Sequence, residues 1–197
     1  YRYMLTHPNA KAMKKYMWEI PHWIPWLAGV LVNSGFDDLL ALDLYTDCEI
    51  SDGVINKTLI IDLIKRHTAD VYLFSPLTPN LGIALRIADF IKEIFPGSQI
   101  IFGGVVVSPM KEYVIAHRSV DYVIYDRGET ALVALLQAIE RKTQLENVGN
   151  LVYKDKGVPI VNAKLKYLSP NEIPFPKVDI FSSEVGENIR YIRQEYA

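Results

Sequence analysis

Three short polar stretches, each directly behind an apolar β-rich run, carry the residue types that could do chemistry. The first is Ser75-Pro76-Leu77-Thr78-Pro79-Asn80 after the run at 71–74. The second is the pair Gly103-Gly104, followed by Val105, after the run that begins at Gln99. The third is Arg127-Gly128-Glu129-Thr130, at the start of a helical pattern. None contains a nucleophile beside a base, and no two histidines stand at metal-ligand spacing. What these stretches offer is binding. A serine hydroxyl gives or takes a hydrogen bond, and paired glycines leave backbone bare so that a flat group can lie against it. The first turn of a helix adds free N–H groups able to hold an anion. Each has a plainer reading too: a loop-opening hydroxyl, a tight turn, and a helix start at which Glu129 complements the dipole.

The elements that must position these loops follow from periodicity. Residues 71–74 and 99–102 read as buried strands. Between them Leu81, Ala84, Leu85, Ala88, Ile91 and Phe95 recur at helical spacing, with Arg86, Asp89 and Glu93 on the other face. Pro96-Gly97 stops the helix. A helix joining two strands makes them parallel, and both loops then follow carboxyl ends, the edge where open α/β sheets bind ligands.

The same grammar extends in both directions. A first strand is expected at 2–5, a helix at 26–33 with Pro25 in its first turn, and a second strand at 39–44. A helix at 56–67 should turn Leu59, Leu63 and Ile60 inward. A short helix is expected at 110–116, a fifth strand at 121–125 and a helix from Ala131 to about Arg141. The expected class is α/β, a flavodoxin-like (Rossmann-like) doubly wound five-stranded parallel sheet of order 2-1-3-4-5, with a C-terminal β-hairpin and an extended tail. That order sets the loops at His7 and Ser75 beside the crevice. The hairpin is read at 149–153 and 158–162 around Gly157, and Pro170, Pro174 and Pro176 stiffen the tail. The expected division is 1–145 for the sheet domain, 146–165 for the hairpin extension and 166–197 for a linker.

Composition narrows the function classes. A formal charge of −2 gives no electrostatic reason to propose nucleic acid. One cysteine, Cys48, excludes an internal disulfide framework. No apolar run approaches the roughly 20 residues of a transmembrane helix, and the N-terminus lacks secretory-signal order, so a cytoplasmic location is expected. The opening without Met and the uncapped close suggest a piece of a longer protein. A basic, aromatic segment with Trp18, Trp23 and Trp26, broken by Pro21 and Pro25, reads either as a loop over the core edge or as a wall over a large flat ligand.

Nucleotide readings fail at the decisive places. Neither G-x-G-x-x-G nor G-x-x-x-x-G-K-[ST] occurs. The loop after strand one is His-Pro-Asn-Ala-Lys where a flavodoxin wants hydroxyls, and Ser75 stands where a phospho-receiver domain needs a carboxylate.

The ordered set instead resembles the cobalamin-binding domain that precedes many radical S-adenosylmethionine enzymes. The resemblance rests on Ser75-x-Leu77, on Gly103-Gly104, and on Asp121-Tyr-Val-Ile followed by Arg127-Gly128-Glu129. The hairpin and the run I-P-F-P-K-V-D-I-F, which begins at Ile173, follow in that family's usual succession. The resemblance implies cobalamin as cofactor, its dimethylbenzimidazole tail lying between strands. Ser75 would bond a ring nitrogen, Leu77 would pack on the corrin, and the two glycines would receive the tail. Thr78, Asn80, Val105, Gly128 and Glu129 complete the implied cofactor-binding set. The D-x-H-x-x-G motif of histidine-ligated cobalamin domains is absent, so no histidine ligand to cobalt from that motif is expected. C-x-x-x-C-x-x-C is absent as well, which assigns the four-iron cluster, S-adenosylmethionine and any catalytic residue to a further domain. Within the family, His-Pro-Asn, the segment P-x-W-x-P-W-L-A-G from Pro21 and the tail are similar to anaerobic cyclases acting on magnesium-protoporphyrin IX monomethyl ester. This implies an oxidative ring closure in bacteriochlorophyll synthesis on a tetrapyrrole substrate. Radical methyltransferases acting on a bacteriochlorin, and a standalone cobalamin carrier or sensor, remain the alternatives.

Overall fold

The structure, a computed structural model, describes residues 2–6, 22–42, 56–166 and 169–180. His7, Trp18, Cys48, the polar loop after the second strand and the tail beyond residue 180 lie outside the described residues.

Five strands form the parallel part of the sheet: β1 (Tyr3–Thr6), β2 (Leu39–Leu42), β3 (Val71–Phe74), β4 (Gln99–Gly103) and β5 (Tyr122–Ile124). Their spatial order is β2-β1-β3-β4-β5, as expected, with the reversal between β1 and β3. Register brings Thr6 beside Phe74, Phe74 beside Phe102, and Gly103 beside Ile124. The helices divide between the two faces. On one, α2 (Lys57–Arg66), α3 (Leu81–Ile94) and α4 (Lys111–Ala116) cover Met4, Tyr72, Ile100 and Val123. On the other, α1 (Trp23–Asn33) and α5 (Glu129–Arg141) cover Ala41, Val71, Leu73, Ile101 and Ile124. Neighbouring strand residues belong to opposite clusters because side chains alternate across a pleated sheet.

The hairpin expected beyond the sheet is part of it. β6 (Leu151–Asp155) pairs antiparallel with β5, and β7 (Val158–Val161) with β6, giving a mixed sheet of seven strands. Leu151 and Val152, on opposite faces, each extend one core cluster. That burial explains why the hairpin docks here rather than standing alone, since an isolated two-stranded hairpin is marginal in water.

Other differences are local. In α2 the inward residues are Ile60, Leu63 and Ile64, while Leu59 is 44% exposed, against expectation. The Asn56 side chain accepts from the Leu59 N–H at 3.3 Å, which starts the helix at Lys57 and turns Leu59 outward. α1 begins three residues before Trp26, with Pro25 inside its first turn. α5 begins at Glu129, because Gly128 already accepts the first helical bond from Leu132 N–H at 2.7 Å.

Candidate functional site

A cavity of about 460 Å³ opens at the carboxyl edge of β3, β4 and β5, on the face that carries α1 and α5. Its floor is the ends of those strands: Leu73 and Phe74, Ile101 and Phe102, and Ile124. Phe74 and Phe102 stack at 5.0 Å between ring centres with 17° between planes, which fixes the β3 and β4 ends side by side. Trp23, Trp26 and Leu27 of α1 form one wall. Residues 126–129 and Leu132 form the opposite wall, and Ile173 closes one side. The lining is chiefly apolar, with charged groups confined to Asp126, Arg127 and Glu129. A site of this size and character suits a flat, mostly apolar ligand with one polar end.

Geometry demands the glycine at 104 and leaves little room for a side chain at 103. Gly104 holds φ +96°, and a β-carbon there would collide with the Ser75 side chain. A β-carbon on Gly103 would press the Ile124 carbonyl oxygen at 3.3 Å. Gly103 thus lies against the β5 backbone and Gly104 against the Ser75 side chain, and both contribute main chain alone to the cavity lining. Ser108 ties the same corner together. Its hydroxyl donates to the Gly104 carbonyl at 2.9 Å and accepts from the Asp126 N–H at 2.7 Å. Asp126, at φ +61°, pairs with Lys164. The loop after β5 is thus locked to the loop after β4 and to the chain behind the hairpin.

Five of the nine expected residues line the cavity together: Ser75, Gly103, Gly104, Gly128 and Glu129. Leu77, Thr78 and Val105 do not line it. They stand exposed on the loops that follow β3 and β4, Val105 at 78%. Asn80 is buried under the 3-10 turn Thr78–Asn80 and does not line the cavity either. The expected set omits Trp23, Trp26, Leu27, Asp126, Arg127, Leu132 and Ile173. The tryptophans were visible as an aromatic segment with two readings, and two of them, Trp23 and Trp26, line the cavity. Ile173 opens the I-P-F-P-K-V-D-I-F run of the family resemblance, but nothing in that pattern sets it beside the ends of β3 to β5. Among the described residues, no three His, Cys, Asp or Glu side chains gather where they could hold a metal ion. Among the described residues, too, no helix is long and apolar enough to cross a membrane. The cavity offers a cradle with no nucleophile paired to a base.

Residues 18–136 match the family model described as the B12 binding domain. Over 122 residues the chain is 26% identical to the anaerobic magnesium-protoporphyrin IX monomethyl ester cyclase of Rubrivivax gelatinosus, covering 61% of this chain and 21% of that protein. The chain thus spans about a fifth of the curated relative it matches. Among solved structures, the cobalamin-dependent S-adenosylmethionine radical enzyme OxsB, with aqua-cobalamin and S-adenosylmethionine bound, superimposes with a TM-score of 0.75 at 17% identity. The match covers 94% of this chain and 25% of that one. The radical S-adenosylmethionine methyltransferase TsrM from Kitasatospora setae, with cobalamin and a [4Fe-4S] cluster bound, gives 0.68 at 17% identity, covering 88% of this chain and 30% of that one. These two likenesses are likenesses of fold.

Proposed function

The chain belongs to the B12-binding domain family, and from that premise we propose that it holds cobalamin for a radical S-adenosylmethionine domain of the same protein, an anaerobic oxidative cyclase acting on magnesium-protoporphyrin IX monomethyl ester. The observation that carries the cofactor assignment is the bare-backbone cradle. Gly103 and Gly104 leave the β4 end without side chains at the floor of an apolar cavity of about 460 Å³. The residues present fit the group: a flat heteroaromatic tail needs an apolar slot, close backbone and one polar partner. Ser75 supplies that partner, and Trp23 and Trp26 supply the wall. Gly128 and Glu129 shape the far side, while Leu77 and Val105 present exposed apolar surface on the adjoining loops to the corrin. Thr78 and Asn80 act behind them, holding the turn that leads into α3. Bound cobalamin supplies a redox-active cobalt centre; this chain's residues bind and orient the group and shield its tail from water.

The division of labour follows. Residues 1–145 carry the cofactor with Ile173 closing one side of its cavity, 146–165 extend the sheet, and the rest of 166–197 leads toward a domain that holds S-adenosylmethionine, a four-iron cluster and the tetrapyrrole. Support for the cyclase reading over others is the 26% identity with the Rubrivivax gelatinosus protein.

Two measurements test this reading. The protein, mixed with hydroxocobalamin and passed through gel filtration, is expected to retain a corrin spectrum. The full-length protein, assayed anaerobically, is expected to close the ring on magnesium-protoporphyrin ester. Methyl transfer to a bacteriochlorin without ring closure would replace the cyclase by a methyltransferase and leave the cofactor assignment standing.

A further inference from the structure

Asn150 is 1% exposed and sits in left-handed backbone at φ +57°, between α5 and β6. Four hydrogen bonds leave it in two directions. Toward the cavity, its Nδ2 donates to the Arg127 carbonyl at 3.0 Å, and its own carbonyl accepts from the Tyr125 N–H at 3.0 Å. Away from the cavity, its N–H donates to the Ala163 carbonyl at 3.0 Å, and its Oδ1 accepts from the Leu165 N–H at 2.8 Å. One buried side chain thus joins the loop behind β5 to the chain behind β7. Arg127 and Gly128 line the cavity, and Gly128 caps α5.

From this arrangement we infer that Asn150 is a positioning residue for the cofactor: it sets the wall of the cavity at the start of α5, and so the affinity for cobalamin. The inference rests on the cobalamin reading given above. Only an amide fits the position. A donor is required toward Arg127 and an acceptor toward Leu165, and no other side chain of this size carries both. Asparagine also tolerates left-handed backbone better than other residues with a side chain. Aspartate keeps the acceptor but sets a carboxylate oxygen against the Arg127 carbonyl, which pushes the 127–128 loop from its place. Glycine keeps the backbone conformation and both main-chain bonds, and loses only the two side-chain bonds.

Asn162 provides a matched control. Its Nδ2 donates to the Leu145 and Val148 carbonyls at 2.6 and 2.8 Å, a clip of the same chemistry on a loop that lines no part of the cavity. Asn162→Asp is therefore a comparable insult whose side-chain partners, Leu145 and Val148, line no part of the cavity, while the Asn162 carbonyl that accepts from the Tyr125 hydroxyl at 2.6 Å is unchanged by the substitution.

The test compares wild type, Asn150→Asp, Asn150→Gly and Asn162→Asp, each scored for melting temperature and for hydroxocobalamin affinity. Affinity is read from the quenching of tryptophan emission, Trp23 and Trp26 lining the cavity, and from corrin absorbance retained after gel filtration. Asn150→Asp is expected to bind about tenfold more weakly, the effect of roughly one lost and one opposed hydrogen bond. Asn150→Gly should fall between it and wild type. Asn162→Asp should melt earlier yet bind within about twofold of wild type. Should Asn150→Asp not fold, the comparison of Asn150→Gly with Asn162→Asp decides. Wild-type affinity in the folded Asn150 variants, or an equal loss in Asn162→Asp, overturns the positioning role. Absence of binding by wild type overturns the cobalamin reading itself, and this inference with it.

Discussion

Gly104 and Ser75 share one volume at the carboxyl edge of the sheet. At φ +96°, the place where a β-carbon of residue 104 would stand is taken by the Ser75 hydroxyl. The serine expected to meet the cofactor and the glycine expected to leave room for it are one steric unit contributed by two adjacent strands. Gly104→Ala is expected to cost about 2 kcal/mol, from left-handed backbone and from the collision. Adding Ser75→Ala removes the hydroxyl and should recover part of that loss but not the backbone strain. Thermal melts of the two single variants and the double variant measure the coupling. Strict additivity of the two single effects would show that the pair does not share space.

Gly29 of α1 tests how the later chain is fastened to the cavity wall. A β-carbon there would collide with the Phe175 carbonyl, and Lys177 N–H donates to the Pro25 carbonyl at 2.9 Å. Helix propensity alone predicts that Gly29→Ala stabilises α1 by about 1 kcal/mol. The carbonyl contact predicts the opposite sign, because the segment bearing Ile173 and Ile180 must move off the helix. Loss of melting temperature and faster tryptic cleavage after Lys177 are expected. A variant more stable than wild type would mean that this segment is not held against α1.

Legibility in the sequence followed the range of the interactions. The βαβ unit from β3 to β4 was readable because burial on one helical face and two short apolar runs are local patterns. The strand order is not written in the sequence itself; it came with the fold class that five alternating units imply. The docking of β6 on β5 was not, since it depends on Leu151 and Val152 finding the two core clusters across many residues. The site divided in the same way. Ser75, Gly103 and Gly104 stood out as residue types at strand ends. Ile173 enters the cavity only through tertiary packing. Leu59 misled because apolar residues at adjacent helical positions leave the phase of the helix open, and the Asn56 cap settles it.

Trp26 separates binding from folding. It lines the cavity yet is 45% exposed, so nearly half of its surface lies outside the core. Trp26→Ala should change stability by less than about 1 kcal/mol, because a partly exposed ring contributes little to the core. It should weaken hydroxocobalamin binding by about 2 kcal/mol, or roughly 30-fold, as loss of an aromatic anchor does. Titration of wild type and variant, with melts alongside, distinguishes the two effects. Unchanged affinity would remove α1 from the binding wall.

At the opposite edge of the sheet, Asp89 ties α3 to the turn before β5. Partial burial by itself would raise its pKa, but the Ser119 hydroxyl, the Arg118 guanidinium at 3.3 Å and His117 at 3.7 Å outweigh burial and hold the carboxyl below its ordinary value. A depressed carboxylate stabilises the fold fully above the unfolded-state value of about 3.9 and loses that contribution as pH falls through the lower folded value. Wild type should therefore lose stability below about pH 4, beyond what a chain without this group loses. Asp89→Asn keeps an acceptor for Ser119 but gives up the charge. Its deficit should be about 1 kcal/mol at neutral pH, where the wild-type carboxylate is ionised, and should shrink toward zero in acid. Denaturant melts of both proteins from pH 7 down to the lowest pH at which they fold give the difference directly. A deficit that stays constant across the acid range would mean that Asp89 acts by its shape and hydrogen bond alone, with no contribution from its charge.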